Sequence, residues 1–191
     1  MPQYQNTSVA DKNLIVGNYS ISYATAGTSS VTSFTNLGAG IVSSFGHNIT
    51  KYDVQSGNAP DPIEGVANET FTISGEFIEY DGEELTKAMG GMMTRATTGA
   101  TASSDNSIIT AGGATTITSK AFLLKNTRII SATSSITNVF VYNATFETGL
   151  QFTAKSDNDT DPISVMGWTI TGKPLTTRDT NDQLFRISHR Q

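Results

Sequence analysis

The stretch from Glu69 to Gly91 reads ETFTISGEFIEYDGEELTKAMGG. From Thr70 to Tyr80 it alternates with a period of two. Phe71, Ile73 and Phe77 fall on one face and Thr70, Thr72, Ser74 and Glu76 on the other, the pattern of a half-buried strand. Gly75 lies on the apolar face, where the missing side chain leaves room for a bulge or for the close approach of another backbone. The alternation stops at Tyr80. Asp81, followed three residues later by Glu84, resembles a capping box with Asp in place of Ser or Thr, so a helix is expected to begin there. Gly90 and Gly91 offer a left-handed stop, which limits the helix to Gly82 through Met89. Leu85, Ala88, Met89 and Met92 share one side of it. A helix this short is not stable alone, so its Leu and Met side chains are predicted to dock on a sheet.

Working outward, Leu14 to Ala24 alternates through Val16, Tyr19, Ile21 and Tyr23 as a first strand interrupted at Gly17 and Asn18, behind a polar arm of residues 1–13. Gly27 to Ser30 is a turn. Phe34 to Val54 reads as one long extended region or as two strands broken at Gly38 and Gly40, with Ile41, Val42, Phe45, Ile49, Tyr52 and Val54 as its apolar positions. Residues 54–66 read as a long exposed loop, because Pro60 and Pro62 around Asp61 deny the backbone two donors. Unstructured loops of roughly 12 residues or more are usually functional or disordered. Residues 92–119 are rich in Thr, Ala, Gly and Ser, with Ile108 and Ile109 as the one short strand, and are expected to be mobile. Lys120–Ile130, Ile136–Phe146, Leu150–Ala154, Ile163–Thr171 and Leu184–His189 follow as strands joined by short turns. The expectation is a single domain over residues 1–191, mainly β: an antiparallel β-sandwich with one short flanking α-helix.

Charged residues make up 15% of the chain, well below the roughly 25% of an ordinary soluble domain. A polar but weakly charged surface suits a subunit that buries its surface against copies of itself, since interface centres are depleted of charge. A secreted β-protein with a Thr-rich exterior would have the same composition. The net charge of −5 argues against a nucleic-acid grip, which needs clustered Lys and Arg to displace counterions from phosphate. With no cysteine, disulfides, thiolate nucleophiles and thiolate metal sites are excluded. The first residues, MPQYQNTSVADK, lack a signal-peptide pattern, and no segment approaches the roughly 18 apolar residues of a membrane span. The chain is expected to be made in the cytoplasm.

Motifs that could carry chemistry are weak. Gly167 to Lys173 matches the first seven positions of a phosphate-binding loop, but Pro174 stands where Ser or Thr should hold magnesium, and the residues alternate like a strand. Asp157, Asn158, Asp159, Thr160 and Asp161 resemble the start of a calcium loop, yet Pro162 replaces its Gly and Trp168 its bidentate Glu; an acidic hairpin loop is the simpler reading. Six Asn-x-Ser/Thr triplets begin at Asn6, Asn18, Asn48, Asn68, Asn143 and Asn158, a number expected from so much Asn and Thr. His47 and His189 are the only histidines, with no Gly-x-Ser-x-Gly or His-Glu-x-x-His pattern around them. Glu76 and Glu79 fall on opposite strand faces, and Glu83 and Glu84 suit the positive end of the helix. No active site, metal or cofactor is expected, and no enzyme.

The order of parts resembles the tail tube proteins, or major tail proteins, of long-tailed bacteriophages. The stretch Asp53 to Gly91 carries most of the resemblance: an extended strand ending near Tyr52 to Val54, a Pro-containing loop, the strand VANETFTISGEFIEY, then the helix DGEELTKAMG. NLIVGNYSISYATAG, followed by FTNLGAGI, and the strand pair from Leu150 to Thr171 are weaker echoes. The resemblance implies a β-sandwich with a flanking helix, assembled into hexameric rings that stack into a hollow tube through which DNA leaves the virion. It also implies an inter-ring contact loop, here Val54, Pro60, Asp61, Pro62, Ile63 and Val66, and a docked helix carrying Leu85, Ala88 and Met89. Further implied partners are other tail proteins such as a tape measure and a tail terminator, with DNA passing through without tight binding and no membrane involved. Type VI secretion tubes share the architecture. The reading from a different class is a β-sandwich binding module, for example sugar-binding, on a fibre or cell surface; Trp168 alternates with Met166 and Ile170, which favours a core position over a sugar platform.

Overall fold

The computed structural model describes residues 18–54, 63–96, 108–130, 133–147, 151–153 and 165–190. The N-terminal arm lies outside the described residues. The remainder is mainly β with one short helix, as the strand pattern implies. In order the elements are β1 (Asn18–Thr25), a single 3-10 turn at Val31–Ser33, β2 (Thr35–Val54), β3 (Ile63–Tyr80), α1 (Gly82–Ala88), β4 (Met93–Ala96) and β5 (Ile108–Ala111). Then follow β6 (Lys120–Ile130), β7 (Thr133–Phe146), β8 (Gln151–Thr153), β9 (Val165–Gly172) and β10 (Phe185–Arg190).

Eight of these strands form one antiparallel sheet in the order β10-β7-β6-β1-β2-β3-β9-β8. The two layers of the sandwich are parts of this single sheet, because β7 also pairs with β9 and closes a ring of six strands. One edge of β7 serves two partners: β10 over Ile136–Val141 and β9 over Ala144–Phe146. Closure removes the open edges that a flat sheet would leave between those strands.

The alternating faces fill the ring. Tyr19, Ile21 and Tyr23 from β1, Phe71, Ile73 and Phe77 from β3, Phe122 and Leu124 from β6, Val139 and Val141 from β7, and Met166, Trp168 and Ile170 from β9 share one buried cluster. Gly75 is required where the strands press together, since a Cβ there would lie 2.5 Å from the Ile41 carbonyl oxygen and 2.7 Å from the Trp168 indole. A smaller second cluster of Leu123, Phe140 and Tyr142 is covered by Phe34 and Leu175. The segment carrying Leu175 is tied down by Arg178, whose guanidinium lies 3.8 Å from the Tyr142 ring centroid, while the Tyr142 hydroxyl donates to Asp182 at 2.7 Å.

Helix α1 is built as its sequence suggests, with one difference. The Asp81 carboxylate accepts from the backbone N–H of Glu83 at 2.8 Å and of Glu84 at 3.1 Å, an N-cap. Glu84 does not return the bond, because the Asp81 N–H donates to the Leu37 carbonyl on β2. Leu85, Ala88 and Met89 are buried against the sheet, and Met92 packs on the same cluster. Gly90, at φ 63°, ends the helix in a conformation that disfavours a side chain, and the Thr118 N–H donates to its carbonyl at 2.8 Å.

Residues 92–119 were expected to be loose, with strand only at Ile108 and Ile109. Met93–Ala96 pairs with Ile108–Ala111 in a separate two-stranded sheet, and the Thr118 contact anchors the end of the segment beneath the helix. Thr-rich composition hid this pairing, because the ladder is made by backbone groups that every residue carries.

Candidate assembly surface

Strand β2 is 20 residues long and β3 is 18, well beyond the usual three to ten. The ring uses only part of them. β1 covers β2 as far as Ile41, and β9 covers β3 from Phe71 to Phe77. Past His47 and Phe71 the two strands pair only with each other among the described residues, and their ladder continues through Ile49–Glu69, Lys51–Val66, Tyr52–Gly65 and Asp53–Glu64 to Val54–Ile63. The result is a two-stranded ribbon running out from the ring.

This corrects the expected boundaries of the loop. Val54 and the residues from Ile63 to Val66 are paired strand, not loop. The side-chain pattern there is irregular because the register shifts between Thr50 and Lys51, leaving Ala67 unmatched, and a bulge breaks strict alternation without breaking the ladder. Pro60, Asp61 and Pro62 lie outside the described residues.

The ribbon exposes apolar side chains: Ile49 is 48%, Tyr52 50% and Val66 56% exposed. Tyr52 lies over Gly65, where a Cβ would approach its ring to 2.4 Å. Lys51 pairs with Glu64 at 3.4 Å and His47 with Glu69 at 2.8 Å, both in contact with solvent and each contributing little to stability. The base of the ribbon is firm. Phe71 stacks on Phe185 of β10 at 4.1 Å between ring centroids, and His47 meets the same ring edge-on at 5.3 Å. A cleft of about 420 Å³ opens there between His47, Glu69, Thr180, Asn181 and Phe185.

The docked helix is held by charge as well as by packing. The Tyr23 hydroxyl on β1 donates to Glu84 at 2.6 Å, and Lys87 donates to Glu84 at 2.7 Å and to Glu83 at 3.0 Å. The Lys87 and Tyr23 hydrogen bonds hold the Glu84 carboxyl below its ordinary value. Burial, with the Glu84 contact, pushes the Tyr23 phenol up to about 12.

Other sequence candidates are absorbed by the fold. The Gly167–Lys173 match lies along β9, with Gly172 facing strands on both sides, so no helix N-terminus is aimed at a phosphate. Trp168 is 3% exposed and packs beside Phe77 inside the ring, not on the surface as a sugar platform. The acidic turn at 157–161 lies outside the described residues. Among the described residues there is no cluster of three metal-ligating side chains, and no helix is long and apolar enough to cross a membrane. Sequence reasoning named Ile49 and Tyr52 only as apolar positions of the extended region from Phe34 to Val54; the length of that run was the signal that part of it must project. No protein-family model matches the chain, and no curated protein is similar to it.

Proposed function

We propose that this chain is a structural virion protein that self-assembles into stacked hexameric rings, forming the tail tube of a long-tailed phage as a conduit for DNA. The ribbon carries this reading. A two-stranded hairpin is marginal in water without a third neighbour, and burial of a Val, Ile or Tyr-sized side chain contributes roughly 1.5 to 3 kcal/mol. Ile49, Tyr52 and Val66 therefore favour a state in which another molecule covers them. The low charge content and acidic balance add support, because a conduit that held phosphate tightly would stall DNA.

Negative-stain microscopy of the purified protein tests the reading. Tubes or six-fold rings are the expected result, and monodisperse monomers across the concentration range would overturn it. Filter binding at physiological salt supplies a second check, with no retention of duplex DNA expected and submicromolar binding contradicting the conduit.

A further inference from the structure

We propose that the cleft between the start of β2 and the end of β3 binds a neutral pyranose sugar; the proposal goes beyond the assembly reading and does not depend on it. The cleft has a volume of about 490 Å³ and is lined by Asn36, Gly38, Ala39, Glu79, Tyr80 and Asp81. That size falls within the roughly 300 to 1,000 Å³ of small-ligand pockets.

Two bulges meet at this place. On β2, Leu37 has no opposite residue in β1, because Ile21 faces Gly38 while Ser22 faces Asn36. On β3, Ile78 has none in β2, because Ala39 faces Glu79 while Gly40 faces Phe77. A bulge bends its strand and re-aims the neighbouring side chains, and bulges are over-represented beside active sites. The frame they make is held in place, since the Asp81 N–H donates to the Leu37 carbonyl at 2.9 Å and ties the end of β3 to β2.

The groups presented suit a sugar. Tyr80 is 38% exposed, and Phe77 braces its ring from within, with centroids 6.3 Å apart. An exposed aromatic face is electron-rich and attracts the weakly positive C–H groups of a pyranose, a role that the buried Trp168 does not fill. Glu79 and Asn36 are both exposed, and neither side chain has a hydrogen bond or ion pair among the described residues. A carboxylate accepts from two neighbouring hydroxyls, while an amide both donates and accepts, so the two together match a vicinal diol. The β2 wall is low. Gly38, at φ 151°, has no room for a side chain, since a Cβ would lie 2.1 Å from the Glu79 carbonyl oxygen, and Ala39 adds only a methyl group. A sugar ring can therefore approach that backbone closely.

Charge narrows the class. Among the described residues the lining includes the carboxylates of Glu79 and Asp81 and no Lys, Arg or His. Asp81 already accepts from the N–H groups of Glu83 and Glu84, whereas Glu79 is uncompensated. An anionic sugar would meet like charge there, and a neutral one would not.

Saturation-transfer difference NMR tests this on the full chain in whatever state of assembly it adopts. The probes are the methyl glycosides of glucose, galactose, mannose and N-acetylglucosamine, with methyl glucuronide as the anionic control. Saturable transfer to at least one neutral probe is expected, and none to the glucuronide. Glu79→Gln and Tyr80→Ala should each weaken binding about tenfold. Because Tyr80 leans on the core, Asn36→Ala serves as a second exposed variant that does not test folding, and it should weaken binding as well. Glu76→Gln, which removes an exposed acid of the same strand outside the cleft, should bind as wild type does. No saturable transfer to any neutral probe, equal binding of the glucuronide, or neutral binding untouched by both Glu79→Gln and Asn36→Ala would each overturn the proposal. So would a loss in Glu76→Gln equal to that in Glu79→Gln. None of these outcomes bears on ring or tube formation, which microscopy reads separately.

Discussion

The two ends of β3 make opposite use of one strand geometry. From Phe71 to Phe77 it is flanked by β2 and β9, and its alternate side chains are buried to 3% exposure or less. From Ile63 to Thr70 it has β2 alone among the described residues, and Val66 is more than half exposed. Both ends satisfy their backbone in the same ladder. What differs is whether a third strand and a packed interior stand behind it, so stability belongs to one end and availability for contact to the other.

Removing side chains should separate the two ends. Phe71→Ala or Phe77→Ala is expected to cost about 3 to 5 kcal/mol in urea or thermal unfolding, through lost burial and the cavity left in the ring. Leu85→Ala and Met89→Ala should each cost about 2 to 4 kcal/mol by the same measurement, and changes within error for both would mean that α1 does not contribute to the core. Gly75→Ala overpacks the strand crossing and should cost about 1 to 3 kcal/mol. At the other end, Ile49→Ser with Val66→Ser should change unfolding by no more than about 0.5 kcal/mol per site while self-association is lost. A large loss of monomer stability from that pair would erase the distinction between the ends.

The smallest effect is on acid stability. Glu84 has a folded pKa below its ordinary value, so its contribution is present above that value and lost as pH falls through the lowered one. Glu84→Gln should flatten the acid limb of the stability curve over that window, measured by melts across pH, without altering the ribbon.

Most of the buried end of β3 was legible in sequence, because Phe71, Ile73 and Phe77 alternate and Asp81 and Gly90 bracket the helix with residues chosen for backbone reasons. The far end was not. Val54, Ile63 and Val66 were read as isolated apolar residues in a loop, since the register shift that leaves Ala67 unmatched breaks the alternation that marks a strand. Ring closure was equally hidden: Ala144–Phe146 of β7 meets Ile170–Gly172 of β9 in only three residue pairs, and no spacing in the sequence announces them. Phe185 looked like one more strand residue, and its stacking on Phe71 emerges only when both strands are in place.

The placement of β1 between β2 and β6 has a consequence for the chain as it is made. β2 can pair as soon as it leaves the ribosome, but β6 begins at Lys120, and the inner face of β1 cannot be enclosed before then. At roughly 5 to 20 residues per second, translation leaves Tyr19, Ile21, Phe71 and Phe77 without their roof for several seconds. The inner face of β1 is thus exposed before the fold is complete, and the folded yield in expression should fall as the rate of synthesis rises.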